Sequence, residues 1–225
     1  MSAESTLVTR RHFDYIRERT VQEDGFLREL KDAARRAGIP AIWISPEQAA
    51  LLRILLRAAG AREVVEVGTL AGSSAIAMAR ALPPGGRVRT IELLDAHADF
   101  AEEWVARSDV AGMVEVLRGD ARDVLPGLAP GSADACFLDA DKTGYVGYLA
   151  ECLRIVRPGG LFLVDNAFAF GQLFDEHPTD REVPAVRAFN DHMASIAALE
   201  AVIVPMGDGL WVGVSHPGRP VPASA

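Results

Sequence analysis

The 225-residue sequence predicts an α/β fold in which a parallel sheet carries helices on both faces. From residue 63 onward, five short apolar or β-branched runs alternate with helical segments of crossover length. These runs are EVVEV, RVRTIE, MVEVL, DACFLD and GLFLVD. The end of the chain breaks the rhythm: residues 199–204 and 210–214 are strand-like and are joined by the glycine-rich PMGDG, which is typical of an antiparallel hairpin.

The first 60 residues predict helices. Residues 10–37 are charged and rich in Ala and Leu at helical spacing, and Gly38 ends this pattern. A further helix begins at Ser45, where Gln48 completes a capping box, and ends at Gly60. We interpret the chain as one domain.

Within it we assign a helical N-terminal extension to about residues 1–60, a core to 61–215 and a proline-rich tail to 216–225.

Composition limits the classes of partner that the protein can bind. The chain has 23 Lys and Arg against 31 Asp and Glu, a net charge of -8, which argues against nucleic acid as the main partner. No apolar run approaches the ~20 residues that span a membrane. The start lacks the pattern of a secretory signal, and two cysteines make no disulfide framework. We expect a cytoplasmic protein.

Acidic residues follow all five predicted parallel strands. In an open α/β sheet, ligands bind outside the carboxyl ends of the strands, near the point where the strand order reverses. The residues at these ends are Glu66 and Gly68, Glu92, Gly119 and Asp120, Asp139 and Asp141, and Asp165 and Asn166. This concentration predicts a functional site that attracts cations.

The first of these turns, EVGTLAGSS, indicates a ligand that approaches the backbone closely. Gly68 and Gly72 lie between a strand and a helix, but Thr69 and Leu70 break the GxGxxG dinucleotide pattern. Glu92 ends the second strand, where an acid suits the hydroxyls of a ribose. The alternative is that Glu92 only caps the next helix.

Asp139, Asp165 and Asn166 offer oxygen ligands on adjacent strands. Two carboxylates and a carboxamide suit Mg²⁺, Mn²⁺ or Ca²⁺ and not Zn²⁺, which prefers nitrogen and sulfur. The alternative is that Asp165 and Asn166 simply begin a turn.

Four motifs together resemble the cation-dependent O-methyltransferases of the caffeoyl-CoA and catechol type. They are VVEVGTLAGSSAIAMARALPPGGRVRTIE, FLDADKTGY, RPGGLFLVDN and GDG. The resemblance runs over about residues 15–214. It implies a Rossmann-like methyltransferase fold with a seven-stranded, mostly parallel sheet whose last strand is antiparallel. It also implies a homodimer.

The resemblance assigns roles to the residues at the strand ends. It implies S-adenosylmethionine as cofactor, bound by Glu66, Gly68, Thr69, Ser74, Glu92, Asp120, Ala121, Asp139 and Asp141. It implies a divalent cation, Mg²⁺ before Mn²⁺ or Ca²⁺, on Asp139, Asp165 and Asn166, and catalytic positions for Lys142 and Asp139. One departure is Gly144, where the family often has Asn; another is AFAFGQ after the metal ligands.

The expected reaction is methyl transfer to a hydroxyl of a catechol-type small molecule. The loop over residues 167–182 is net acidic, which favours a free catechol over an acyl-CoA catechol because coenzyme A carries phosphate charges. The alternatives are the caffeoyl-CoA type, a nicotinamide-dependent oxidoreductase and a non-catalytic ligand-binding module. An N-methyltransferase is disfavoured because DADK replaces the (N/D)PP(Y/F) turn after the fourth strand.

Overall fold

A computed structural model describes residues 8–20 and 22–216, and its sheet confirms the predicted α/β fold. The seven strands are β1 (Glu63–Val67), β2 (Arg87–Glu92), β3 (Val114–Arg118), β4 (Ala133–Leu138), β5 (Val156–Val164), β6 (Leu199–Val204) and β7 (Leu210–Ser215). They lie in the order β3-β2-β1-β4-β5-β7-β6, and β7 runs antiparallel to both of its neighbours. The predicted hairpin is therefore confirmed.

Eight α-helices surround the sheet within the described ranges. They are α1 (Arg10–Arg19), α2 (Gly25–Arg36), α3 (Pro46–Ala58), α4 (Ser73–Ala79), α5 (Asp95–Arg107), α6 (Ala121–Val124), α7 (Tyr145–Ile155) and α8 (Val183–Ser195). Leu52 of α3 and Trp104 of α5 pack on one face of the sheet, and Leu149 of α7 and Phe189 of α8 pack on the other. The central strands read as continuous apolar runs because both of their faces are buried.

The structure divides the helical segment predicted over residues 10–37 into α1 and α2, so the prediction of one segment was wrong. The backbone is extended at Thr20 and again at Asp24, whose side chain accepts a hydrogen bond from the Leu27 N–H at 3.0 Å. An acidic N-cap therefore begins a new helix there. Residues 1–7 of the predicted extension and 217–225 of the predicted tail lie outside the described residues.

Strand pairing continues past the strand ends and thereby aligns the site. The Asp139 N–H donates to the Val67 carbonyl at 2.9 Å, and the Asp165 N–H donates to the Leu138 carbonyl at 3.0 Å. The chain runs from β1 to β2 and β3 on one side and returns to β4 and β5 on the other. The ends of β1 and β4 therefore form the crevice at which such sheets bind ligands.

Two further features agree with the composition. Cys136 and Cys152 are both buried and unbridged. Among the described residues, none of the helices combines the length and apolar character that crossing a bilayer requires.

Candidate active site

Two adjoining cavities open at the carboxyl edge of the sheet. The larger has a volume of about 780 Å³, and the smaller about 420 Å³. Asn166 lines both, whereas Asp165 lines the smaller one. The predicted residues on the wall of the larger cavity are Gly68, Thr69, Ser74, Glu92, Asp120, Ala121, Asp139, Asp141 and Lys142.

The turn after β1 requires glycine at its first position. Gly68 has a φ of +99°, and a Cβ built there would lie 2.0 Å from the carbonyl oxygen of Asp139. Gly72 is also left-handed, with a φ of +82°, at the start of α4. The backbone at Gly68 can therefore form part of the cavity wall without a side chain in the way, whereas Gly72 faces Ala101 of α5.

Glu92 is held by the backbone on both sides of the cavity edge. Its Oε2 accepts from the Leu70 N–H at 2.8 Å, and its Oε1 accepts from the Leu94 N–H at 3.0 Å. The second bond lies at the start of α5, so the capping interpretation is correct in part. A carboxylate has about four acceptor positions, so Glu92 can still accept from a ligand in the cavity, and Nδ1 of His97 lies 3.6 Å from its Oε1.

Glu66 lies beneath the cavity wall, so its predicted contact with a cofactor stays a prediction. The side chain is fully buried, and neither carboxylate oxygen has a hydrogen-bond partner of standard geometry. Burial raises the pKa of Glu66 to about 8, although the nearby hydroxyls of Ser74 and Thr90 act in the opposite direction. A protonated acid is therefore favoured at this position near neutral pH.

Asp120 and Ala121 form the wall at the end of β3. Both carboxylate oxygens of Asp120 accept from the Arg122 guanidinium, the shortest at 2.5 Å, and this contact lowers the pKa of Asp120. Arg122 also lines the larger cavity. It adds a positive charge that the sequence analysis did not assign to the site.

The three predicted metal ligands lie at the ends of β4 and β5. Burial, followed by the charge of Asp139, raises the pKa of Asp165 to about 7, although Lys142 acts in the opposite direction. Asn166 has a left-handed φ of +67°. Among the described residues, no group of three or more His, Cys, Asp or Glu side chains is arranged to bind a metal, so a cation here would have two carboxylates and one amide.

Lys142 is buried between Asp139 and the aromatic ring of Tyr145. Its Nζ donates to the Tyr145 hydroxyl at 2.7 Å and lies 3.2 Å from Oδ1 of Asp139. The Lys142 side chain is 5% exposed. Lys142 therefore forms an ion pair with Asp139 and also lies on the wall of the larger cavity.

Of the three phenylalanines in the loop over residues 167–182, one lines a cavity described above. Phe170 lines the larger cavity, Phe174 is 92% exposed, and Phe168 packs against Gly209. Asp180 and Glu182 line the larger cavity as well.

Comparisons with known proteins agree with this geometry. The sequence pattern of the family described as O-methyltransferase matches residues 17–215. The chain belongs to this family. It is an S-adenosylmethionine-dependent O-methyltransferase, which argues against the nicotinamide-dependent and non-catalytic alternatives.

Individual relatives cover most of this enzyme. It is 38% identical over 195 residues to a catechol O-methyltransferase of Niastella koreensis, covering 85% of this chain and 88% of the relative. It is 37% identical over 194 residues to a catechol O-methyltransferase of Mycobacterium tuberculosis, covering 86% and 88%. The crystal structure of TomG from Streptomyces achromogenes, involved in tomaymycin synthesis and in complex with S-adenosylmethionine, is similar with a TM-score of 0.81 and 33% identity, covering 92% of this chain and 96% of TomG.

Proposed function

We propose that this O-methyltransferase is cation-dependent and methylates a hydroxyl of a catechol-type small molecule. The observation that carries the proposal is the convergence of Asp139, Asp165 and Asn166 where the two cavities meet. A cation there would face a cofactor in the larger cavity and an acceptor at the junction. Relatives named catechol O-methyltransferase support the choice of acceptor.

The ligand set fits a hard divalent cation. Two carboxylates balance its charge, and the amide oxygen of Asn166 completes an all-oxygen set. The raised pKa of buried Asp165 beside Asp139 shows that two negative charges are costly here, and a bound dication would offset that cost. Mg²⁺ fits this set best, and Mn²⁺ and Ca²⁺ are compatible with it.

The larger cavity fits S-adenosylmethionine. The bare backbone at Gly68 allows the ligand to approach the turn closely, and Glu92 offers acceptor positions for the ribose hydroxyls. Thr69, Ser74, Asp120, Ala121 and Asp141 complete the wall. The complex of TomG with the same molecule supports this assignment.

The residues of this chain would orient the acceptor and move one proton. When bound, the cation lowers the pKa of a phenol from about 10, and the sulfonium supplies the methyl group. In its neutral form, Nζ of Lys142 would accept the phenolic proton and become an ammonium, and Tyr145 and Asp139 hold this nitrogen on the cavity wall. Lys142 and Tyr145 are buried, which limits the access of water to this nitrogen.

The charges around the cavities favour a free catechol over an acyl-CoA catechol, the competing acceptor. Asp180 and Glu182 on the larger cavity would repel the phosphates of coenzyme A. The positive charge of Arg122 on the same cavity is paired with Asp120. Lys31 lines the smaller cavity, but its Nζ is paired with Glu23 at 2.5 Å. Trp43 lines both cavities and offers an aromatic surface to the acceptor ring.

Metal removal tests the proposal directly. A chelator should abolish methyl transfer to a catechol, and added Mg²⁺ or Mn²⁺ should restore it. Asp139→Ala should lose turnover while the variant remains folded. Full turnover in excess chelator would show that the three oxygens serve the fold and not a cation.

We also propose that the enzyme acts as a homodimer in the cytoplasm. The supporting observation is a set of large apolar side chains exposed on the N-terminal part of the chain, among them Tyr15, Ile42 and Ile54. Sedimentation at micromolar concentration should give twice the mass of one chain. A single-chain mass would contradict the dimer and leave the site unaffected.

A further inference from the structure

Gln48 and Asp208, which the sequence analysis did not assign to the site, form hydrogen bonds with Asp165 and Asn166 at the end of β5. Nε2 of Gln48 donates to Oδ1 of Asp165 at 2.8 Å, and Nδ2 of Asn166 donates to Oδ2 of Asp208 at 3.1 Å. We propose that Gln48 and Asp208 are positioning residues that determine which oxygens of Asp165 and Asn166 face the cation. This inference rests on the proposed metal site.

Hydrogen bonds to both Oε1 and Nε2 determine the orientation of the Gln48 amide. Its Oε1 accepts from the Ser45 N–H at 3.1 Å in the capping box of α3, while Nε2 faces Asp165. A rotated amide would place Oε1 against a carboxylate and Nε2 against an N–H. Gln48 is 4% exposed, so water cannot replace these bonds. Oδ1 of Asp165 is therefore held, and Oδ2 is the oxygen presented to a cation.

The Asp208 carboxylate is fixed by the backbone of the loop after β5. Its Oδ2 accepts from the Phe170 N–H at 2.7 Å, and its Oδ1 accepts from the Gly171 N–H at 3.1 Å. The amide of Asn166 must then direct its NH₂ group at Asp208, because the rotated amide would oppose two oxygens. Oδ1 of Asn166 is left to face the metal, and a carbonyl oxygen is the atom that a hard cation binds.

The two positioning residues belong to elements that pack on each other. Gly207, in the β6–β7 turn, has a φ of +59°, and a Cβ there would lie 2.2 Å from Cδ of Gln48. The hairpin turn thus lies directly on the side chain that holds Asp165. Outer partners of this kind orient metal ligands, and their loss commonly weakens metal affinity by about 10–100-fold.

A Mn²⁺ titration without substrate, followed by the electron paramagnetic resonance of the free ion, tests the inference. Asp208→Ala and Gln48→Met should raise the Kd for Mn²⁺ about tenfold or more. Met retains the volume beneath Gly207 but lacks the amide. Asp208→Asn retains an acceptor for Asn166 and should fall between wild type and Asp208→Ala, so it also serves if the alanine variant does not fold. S-adenosylmethionine affinity and unfolding temperature should change little.

Two variants serve as matched controls. Ser45→Ala removes the side-chain cap of α3 without removing the Gln48 amide, and Asp175→Asn removes one negative charge from the exposed loop. Both should bind Mn²⁺ as the wild type does. The inference would be overturned, and the metal proposal left standing, if Gln48→Met and Asp208→Ala both bound Mn²⁺ with wild-type affinity. If Asp208→Ala does not fold, Asp208→Asn takes its place in this comparison. A wild-type protein that binds no Mn²⁺ would overturn the metal proposal and this inference with it.

Discussion

The hydroxyl of Tyr148 donates a hydrogen bond to Oδ1 of Asp141 at 2.6 Å. The Tyr148 ring fills the space beside Gly144, where a Cβ would lie 2.3 Å from Cζ of the ring. Burial and the contact with Asp141 both raise the pKa of Tyr148, so the hydroxyl stays protonated and remains a donor. Glycine at position 144, a departure from the related family, therefore has a physical reason in this chain: it leaves room for the ring.

Substitution at position 144 should reach the cofactor site through this contact. Gly144→Ala should displace Tyr148 from Asp141 on the wall of the larger cavity, and Tyr148→Phe should remove the bond alone. We expect both to weaken S-adenosylmethionine binding, by up to the ~1.5–3 kcal/mol of a hydrogen bond to a charged group. Calorimetry measures this. Gly147→Ala is the control, because a Cβ at position 147 meets nothing within 4 Å. Equal affinities in the two alanine variants would contradict the prediction.

Removal of the Glu92 carboxylate should weaken cofactor binding. Glu92→Ala removes the acceptor expected to bind the ribose hydroxyls, and the expected loss is roughly 1.5–3 kcal/mol. It also leaves the N–H groups of Leu70 and Leu94 without their acceptor. Glu92→Gln is therefore needed to separate the loss of the negative charge from a loss of order in the loop. Asp95→Ala, at the exposed start of α5, is the control. An unchanged dissociation constant for Glu92→Ala would leave Glu92 with only its capping role.

The free energy of unfolding should decrease as pH rises because of Glu66. Its pKa rises from 4.5 when unfolded to about 8 when folded, so the folded state holds the proton more tightly across that window. This contribution is complete below pH 4.5 and is lost as pH rises to about 8. Glu66→Gln cannot ionise and should be more stable than wild type at pH 8, by on the order of a few kcal/mol, with less difference at pH 5.

Thermal unfolding at a series of pH values measures this difference. Glu115→Gln, which removes an exposed carboxyl from β3, should show no comparable trend. A constant offset between Glu66→Gln and wild type from pH 5 to 8 would mean that Glu66 is ionised throughout.

The acceptor preference should follow the charge of the cavity wall. We expect a higher kcat/KM for a simple catechol or caffeic acid than for caffeoyl-CoA. Asp180→Asn should raise the efficiency with the thioester and leave that with catechol nearly unchanged, because only coenzyme A brings phosphate charges. Raised salt should reduce the difference between variant and wild type. A wild-type preference for caffeoyl-CoA would show that the charge argument is wrong.

Hydropathy and turn chemistry were sufficient for most of the fold. The β-branched runs predicted the seven strands, and PMGDG predicted the hairpin, because these signals are local. The sequence analysis did not predict the break between α1 and α2 because charged residues at helical spacing continue across it. Asp24 before an apolar run was the available signal.

The site was predictable where it depends on strand ends and less so where distant segments meet. Strand order alone brings Asp139 and Asp165 together. Gln48 reaches Asp165 across 117 residues of sequence, and its capping role already explained its presence. Asp208 lies in the GDG motif, but the motif assigned it no contact, and it meets Asn166 only when the hairpin folds back on the loop after β5.

The contact between α3 and the β6–β7 turn has a consequence for protein engineering. Gln48 in the N-terminal part of the chain and Asp208 in the C-terminal hairpin support adjacent side chains at the carboxyl end of β5, so neither part is a detachable module. A chimera that exchanges the first 60 residues with those of a relative would import the relative's side chain at position 48 along with its part of the cavity wall. Where that side chain is not Gln, acceptor range and cation affinity would change together, and separating them requires grafting position 48 and the hairpin turn as one unit.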